Sequence, residues 1–177
     1  MVAAPAVVAP DPGSVAAVVV SAGVVPAGAV VTVGRGVVEQ AVDDVRATHG
    51  DVSVATSLPD DVGVAVEPVV LRSVLRELLE NAVVHADGAG VAVAFVDGEG
   101  DIVVSDDGPG IPEYEVEVFE IERETSLKHG SGLGLWLVKW GVDRFGGAVR
   151  FDTSDAGTRV HVSVPSDRLT RRAPAAD

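Results

Sequence analysis

The spacing of apolar residues changes period several times along the chain. Val37, Val38, Ala41, Val42 and Val45 recur at helical spacing with acids on the other face, which predicts an amphipathic helix over Val37–His49 closed by Gly50. Val52, Val54 and Thr56 then alternate, so Asp51–Ser57 reads as a strand and Val62–Val66 as a second, short one. Pro68 suits the first turn of a helix, and a long helix follows to about Ala86. Val91–Val96 and Ile102–Ser105 read as strands around the turn Asp97-Gly98-Glu99-Gly100. Glu113–Glu124 is acidic and weakly helical. Leu133–Phe145 is a helix stopped by Gly146-Gly147, and Ala148–Thr153 and Thr158–Val164 are strands joined at Asp155-Ala156-Gly157. Hairpin-length links between strand pairs favour a mixed or antiparallel sheet with helices on one face, an α/β two-layer sandwich.

Before this pattern lies an Ala/Val/Pro-rich segment, residues 1–36, with no charge between Gly13 and Gly34. Pro26, several glycines, the lack of leucine and the lack of a basic flank argue against a membrane span, and the start carries no positive charge of the kind a signal peptide has. Short, locally paired strands or the remnant of a longer upstream region are the readings left open. Residues 37–165 form the globular domain, and 166–177 read as a flexible polar tail.

Charge narrows the partners. The 177 residues carry 27 acids against 13 bases, a formal net charge of −14. Such a surface repels nucleic acid and anionic membranes, so neither is expected as a partner, and a cytoplasmic location is expected. Cysteine is absent, which excludes disulfide scaffolds, thiolate zinc sites and thiol nucleophiles. Aromatic residues make up 4%, too few for a base-stacking platform. Only Lys128 and Lys139 are lysines, and this acid-rich, lysine-poor balance resembles proteins of extreme halophiles, where salt screens self-repulsion.

Three segments hold candidate chemistry. On the long helix, Glu77, Asn81 and His85 lie at i, i+4 and i+8 and share one face beside the stripe Leu71, Leu75, Leu78 and Ala82, with Glu80 pointing elsewhere into solvent. A carboxylate, an amide and an imidazole so arranged can ligate a hard cation, orient water or contact phosphate, although such polar stacks also occur on helices that merely face water. In the second segment, a short apolar strand runs into Asp106-Asp107-Gly108-Pro109-Gly110. A carboxylate at the end of a buried strand needs donors, and the adenine amine is one where guanine offers an acceptor. Gly108 and Gly110 let backbone pass close to a flat ligand, but the same dipeptides also make plain turns. In the third, Gly130-Ser131-Gly132-Leu133-Gly134 opens a helix and can present backbone N–H groups to an anion. Trp136 and Trp140 further along read as packing residues.

Taken together and in this order, Glu77-x-x-x-Asn81, Asp106-x-Gly108-x-Gly110 and Gly130-x-Gly132-x-Gly134 resemble the N box and two glycine boxes of the GHKL ATPase superfamily. The run Glu124-Thr-Ser-Leu-Lys-His-Gly-Ser-Gly-Leu-Gly-Leu-Trp-Leu-Val138 most resembles the catalytic ATP-binding domain of histidine kinases, of haloarchaeal type. The resemblance covers about Val37 to Pro165. It implies the Bergerat fold, with ATP and Mg²⁺ as ligands and a signalling protein as partner. By position, it implies Asn81 as the Mg²⁺ ligand, Glu77 as the group that polarises a water, and Asp106 as acceptor of the adenine amine, with Gly108 and Gly110 shaping that wall. Gly130, Gly132, Leu133 and Gly134 would bind phosphate, Thr158, following Gly157 as in the family's Gly-Thr pair, would support the adenine water network, and Pro112–His129 would be a mobile lid.

The chain departs from that pattern in ways that bear on activity. Many histidine kinases have Lys or Arg three residues after the N-box Asn; here it is Val84, for which Lys128 or His85 is the substitute. The Phe-rich lid motif is reduced to Phe119. No phosphoacceptor hairpin is legible: His49 ends a short helix and is followed by Gly50, and His161 alternates with core valines and is expected to face solvent. Phosphoryl transfer to a histidine supplied in trans or by a missing segment is the expected function. A non-enzymatic ATP-dependent interaction module and a stand-alone serine kinase of the anti-sigma type are the alternatives.

Overall fold

The computed structural model describes residues 31–86, 90–96, 100–111 and 132–171. The turn at 97–99, the stretch Glu113–Glu124 and the lid Pro112–His129, including Lys128, lie outside the described residues, as do Gly130 and the first thirty positions. Two sheets and three helices make up the rest. Strands β2 (Val54–Ser57), β4 (Val91–Val96), β5 (Asp101–Asp106), β6 (Ala148–Ser154) and β7 (Gly157–Ser163) form a five-stranded sheet in the order β2-β4-β5-β7-β6. β2 runs parallel to β4, and every other pair is antiparallel, so the sheet is mixed as expected.

Helices α1 (Arg35–His49), α2 (Pro68–His85) and α3 (Gly132–Arg144) make the second layer. Pro68 stands at the start of α2, where its missing N–H costs nothing. Gly50 ends α1 with φ +84° and donates its N–H to the Arg46 carbonyl at 2.9 Å. The stripe Val70, Leu71, Val74, Leu75, Leu78, Leu79 and Ala82 of α2 is buried, with α1 on one side, α3 on the other and strands β4 and β5 beneath. From the sheet, Val93, Ile102, Val104, Val160 and Val162 meet it. A Cβ at Gly141 of α3 would fall 2.5 Å from Val74 Cγ2, so the two helices pack as closely as a glycine permits. Core leucines in such a site cost about 2–5 kcal/mol when cut to alanine.

Several expectations need correction. A second, three-stranded sheet, β1 (Val31–Val33), β3 (Val62–Val66) and β8 (Leu169–Arg171), was not legible. The chain does not fray from 166: a short 3₁₀ turn at Ser166–Arg168 leads into β8, which pairs with β3, and Arg168 donates to the Ala65 carbonyl at 3.1 Å. His161 does lie on the face opposite Val160 and Val162, yet it is buried rather than solvated. Its Nδ1 lies 3.3 Å from Asp101 Oδ2, itself buried, and its Nε2 comes within 3.1 Å of Asp152 Oδ2 without hydrogen-bond geometry. Trp136 and Trp140 are 60% and 48% exposed, because α3 buries Val138 and Val142 instead, with Phe145 buried just beyond its end. The two rings stack at 6.5 Å, with Arg144 over Trp140. Glu80 is half-buried, 3.9 Å from Arg76. No described helix is long and apolar enough to cross a membrane.

Ion pairs tie the helices at their outer edges. Arg72 of α2 grips Asp44 of α1 through two bonds, at 2.7 and 2.6 Å, and Arg144 at the end of α3 reaches Glu67 at the start of α2 at 2.7 Å. The Arg72 hydrogen bond holds the Asp44 carboxyl below the ordinary carboxylate range, against a smaller opposing effect of desolvation. A carboxylate whose folded value is depressed adds stability above its unfolded value near 4, and that stability is lost as pH falls through the folded one. Asp44→Asn should therefore cost about 0.5–1 kcal/mol at neutral pH, the range for a partly exposed pair of good geometry. The gap from the unsubstituted chain should close in acid. Urea titrations at the two pH values measure it.

Candidate functional site

Between α2 and the sheet lies a cavity of about 280 Å³. The sheet supplies its floor as two cross-strand rows. Val104, Val160 and Phe151 are opposite one another in register, and one step nearer the strand ends come Asp106 and Thr158, with Thr153 opposite Thr158 on β6 but outside the lining. Leu78, Asn81, Ala82 and His85 of α2 form one wall, Pro109, Gly110 and Ile111 a second, and Leu135 of α3 contributes from the far side. The lining is mainly apolar with a few polar groups, Asn81, His85, Asp106 and Thr158, the usual make-up of a small-molecule site.

Asn81 reaches this cavity because its neighbours on the helix, Leu78 and Ala82, fix which face of α2 turns to the sheet. His85 is one turn further and exposed, and Val84 beside it is 60% exposed. Asp106 ends β5 half-buried; its Oδ1 accepts the Gly108 N–H at 2.9 Å and so turns the chain out of the strand. Thr158, on the neighbouring strand, is buried directly opposite Asp106.

The glycines of this wall are sterically required. A Cβ on Gly108 would come within 2.8 Å of Ala86 Cα and 3.0 Å of the His85 carbonyl oxygen, which lets the loop close against the end of α2. Gly110, at φ +80°, would overlap the Ser154 carbonyl, and Gly157, at φ +125°, the Asp106 carbonyl. Sequence reading singled out Gly110, and Gly157 as the glycine before Thr158, but missed Phe151, Ile111 and Leu135; the period-2 pattern marks Phe151 as facing the core but not as lining a cavity.

Glu77 lies one turn before Asn81, against the beginning of α3. A Cβ on Gly134 would overlap its Oε1, so the carboxylate occupies the notch this glycine leaves. Desolvation raises the Glu77 carboxyl above its ordinary value; the charge of Glu80 adds to this and Arg76 opposes it. Gly132 and Leu133 open α3, and Gly130 and Lys128 fall outside the described residues. Among the described residues no group of three His, Asp or Glu side chains stands ready to hold a metal. The Asn81 amide is an oxygen donor on the cavity wall. That suits a hard divalent ion carried largely by ligand phosphates and water, and not one caged by protein.

A mixed sheet under three helices, with a cavity walled by an acidic strand end, an asparagine face and a glycine-opened helix, defines a class of ATP-binding domain. Residues 66–168, more than half of the chain, match the family described as histidine kinase-, DNA gyrase B- and HSP90-like ATPase, and the chain belongs to that family. Within it, the chain is an ATP-binding domain of the histidine-kinase type. It is 33% identical over 129 residues to the sensor histidine kinase component HK1 of Mycobacterium tuberculosis, a match covering 69% of this chain and 75% of that one. It is 44% identical over 79 residues to the histidine-protein kinase/phosphatase MprB of a Mycobacterium species, covering 40% of this chain but 15% of that protein. Among solved structures, the mycobacterial sensor histidine kinase MprB superposes with a TM-score of 0.61 at 28% identity, covering 82% of this chain and 99% of the other. The ATP-binding domain of PrrB from Mycobacterium tuberculosis gives 0.60 at 27%, covering 77% and 96%.

The two kinds of glycine contact should separate experimentally. At Gly157 an added Cβ meets fixed backbone at a left-handed φ, so Gly157→Ala should destabilise the domain by about 1–3 kcal/mol. At Gly134 the obstacle is the far end of a flexible side chain, and alanine gains helix propensity. Gly134→Ala should leave stability within about 0.5 kcal/mol while displacing Glu77. Chemical denaturation of the two variants compares them.

Proposed function

We propose that the cavity binds Mg·ATP and that the domain passes the γ-phosphoryl group to a histidine on another chain or segment. The juxtaposition of Asn81, Asp106 and Thr158 around one cavity carries this reading. The Oδ2 of Asp106 accepts the adenine amine while Oδ1 stays with Gly108, and Thr158 beside it orders the water of that edge. Asn81 contributes its amide oxygen to Mg²⁺ and His85 contacts phosphate, with Lys128 as a second phosphate contact and Gly130, Gly132, Leu133 and Gly134 offering N–H groups. Glu77 orients and polarises the water or acceptor proton at the phosphate end. Bound Mg·ATP supplies the phosphoryl group; the side chains position it and match its charge. A cytoplasmic location follows from the need for ATP. The acid-rich composition agrees with a protein adapted to high salt.

Among the described residues no histidine has the make-up of an acceptor. His161 is enclosed between Asp101 and Asp152, and His49 ends α1 before a glycine, so neither offers an exposed imidazole with a following acid. One similar protein is itself described as a component of a sensor histidine kinase, which favours an acceptor in trans. The exposed Val84, where a basic residue is common in such domains, favours a second reading: an ATP-dependent interaction module without phosphotransfer.

Calorimetry should find ATP bound in preference to GTP, and Asp106→Asn should weaken ATP by about 1–3 kcal/mol by setting an amide N–H against the adenine amine. Asn81→Ala should keep the fold and remove the Mg²⁺ enhancement; equal ATP and GTP affinity in the unsubstituted chain would overturn the assignment of the base site. With γ-labelled ATP, the chain alone should acquire no acid-labile, alkali-stable label, and label should appear on a supplied histidine hairpin. Turnover that uses ionised Glu77 should rise with pH through its raised value and fall in more acidic solution.

A further inference from the structure

We infer that Thr153, on the edge strand β6, is a positioning residue for the nucleotide: its hydroxyl clamps Ile111 and so fixes the wall against which the base rests. The inference rests on the reading of the cavity as an ATP site; the clamp itself does not. Thr153 Oγ1 accepts the Ile111 N–H at 2.7 Å and lies 3.3 Å from the Ile111 carbonyl oxygen, to which it donates. One side chain therefore holds both backbone groups of a residue 42 positions away in sequence, and that residue lines the cavity.

The clamp belongs to a larger grip. The turn linking β6 and β7, Ser154 to Gly157, closes on the loop from Asp106 to Ile111 at two further points. Gly110 fits under the Ser154 carbonyl, and Gly157 fits against the Asp106 carbonyl; in both places a Cβ would overlap backbone oxygen. These two glycine contacts hold the ends of the loop by shape, which resists compression but allows separation. The Thr153 hydrogen bonds are the directional part that resists the loop lifting away from the sheet. Thr153 is exposed and at the sheet edge, so it adds little to the core, and its rigid β-branched form already suits a strand. The hydroxyl is thus the part of the side chain with work to do at this position.

Thr153→Val keeps shape and strand preference and removes only the hydroxyl; Thr153→Ser keeps the hydroxyl. Hydrogen exchange of the nucleotide-free chain should show the Ile111 amide exchanging several-fold faster in the valine variant and at the normal rate in the serine variant. Calorimetry should show ATP affinity falling about threefold to tenfold in Thr153→Val, which removes both hydrogen bonds of the clamp, with recovery in Thr153→Ser. The melting temperature should stay close to that of the unsubstituted chain in both. Unchanged Ile111 exchange in Thr153→Val overturns the clamp. Faster exchange with unchanged ATP affinity, or no recovery with serine, overturns its role in positioning. Failure of the unsubstituted chain to bind ATP overturns the cavity reading and with it that role, while the exchange measurement still decides the clamp.

Discussion

The structure depends on the burial of α2. This helix is held by α1 on one flank, α3 on the other and the sheet below, and its stripe from Val70 to Ala82 is the centre of the core. Because apolar contacts fix its rotation, the side chains at 77, 81 and 85 have no freedom about which way they point. Asn81 meets the strand-end carboxylate of Asp106 across a cavity for the same reason that Leu75 and Leu79 are buried. Rotating α2 by a fraction of a turn would expose leucine and withdraw the asparagine together.

The other wall is built on a different principle. The loop from Asp106 to Ile111 has little apolar area of its own and is held by close backbone approach. Gly108 lies against the end of α2, Gly110 and Gly157 lie against carbonyl groups, and the Thr153 hydroxyl ties the far end. The cavity thus joins a wall set by core packing to one set by hydrogen bonds and missing Cβ atoms. The second is the cheaper to displace, since it forfeits a few hydrogen bonds and little buried area. That division suits a site that must admit a large polar ligand without loosening the core.

Charge has a local as well as a global role. The net charge of −14 is spread over a surface where Arg35, Arg72 and Arg144 are committed to acids on neighbouring elements. Near the cavity, Glu77 and Asp106 are acidic and half-buried. An anionic ligand bound there would have to find its counter-charge elsewhere than in these two side chains.

Most elements were legible in the sequence because their apolar periods are strong and their ends are marked. Gly50 and Pro68 fix helix limits, and Val62–Val66 and Val91–Val96 have the bounds their pattern gives. The motif residues were legible as types at spacings: a carboxylate ending an apolar strand, an asparagine on a helix face, glycines before a helix. The pairing of β1 and β8 with β3 was not, since short strands far apart in sequence carry no local mark of their partner. Nor was the burial of His161, whose alternation gives a face but not what stands on that face, or the exposure of Trp136 and Trp140, whose spacing is the same whether the helix turns them in or out. Tertiary structure alone brought Phe151 into the cavity lining and Thr153 against Ile111, and it alone showed that Gly157 abuts the Asp106 carbonyl. Local sequence determines the period and therefore the face, but the distance between two faces is set by how whole elements pack, and a cavity is a property of that distance.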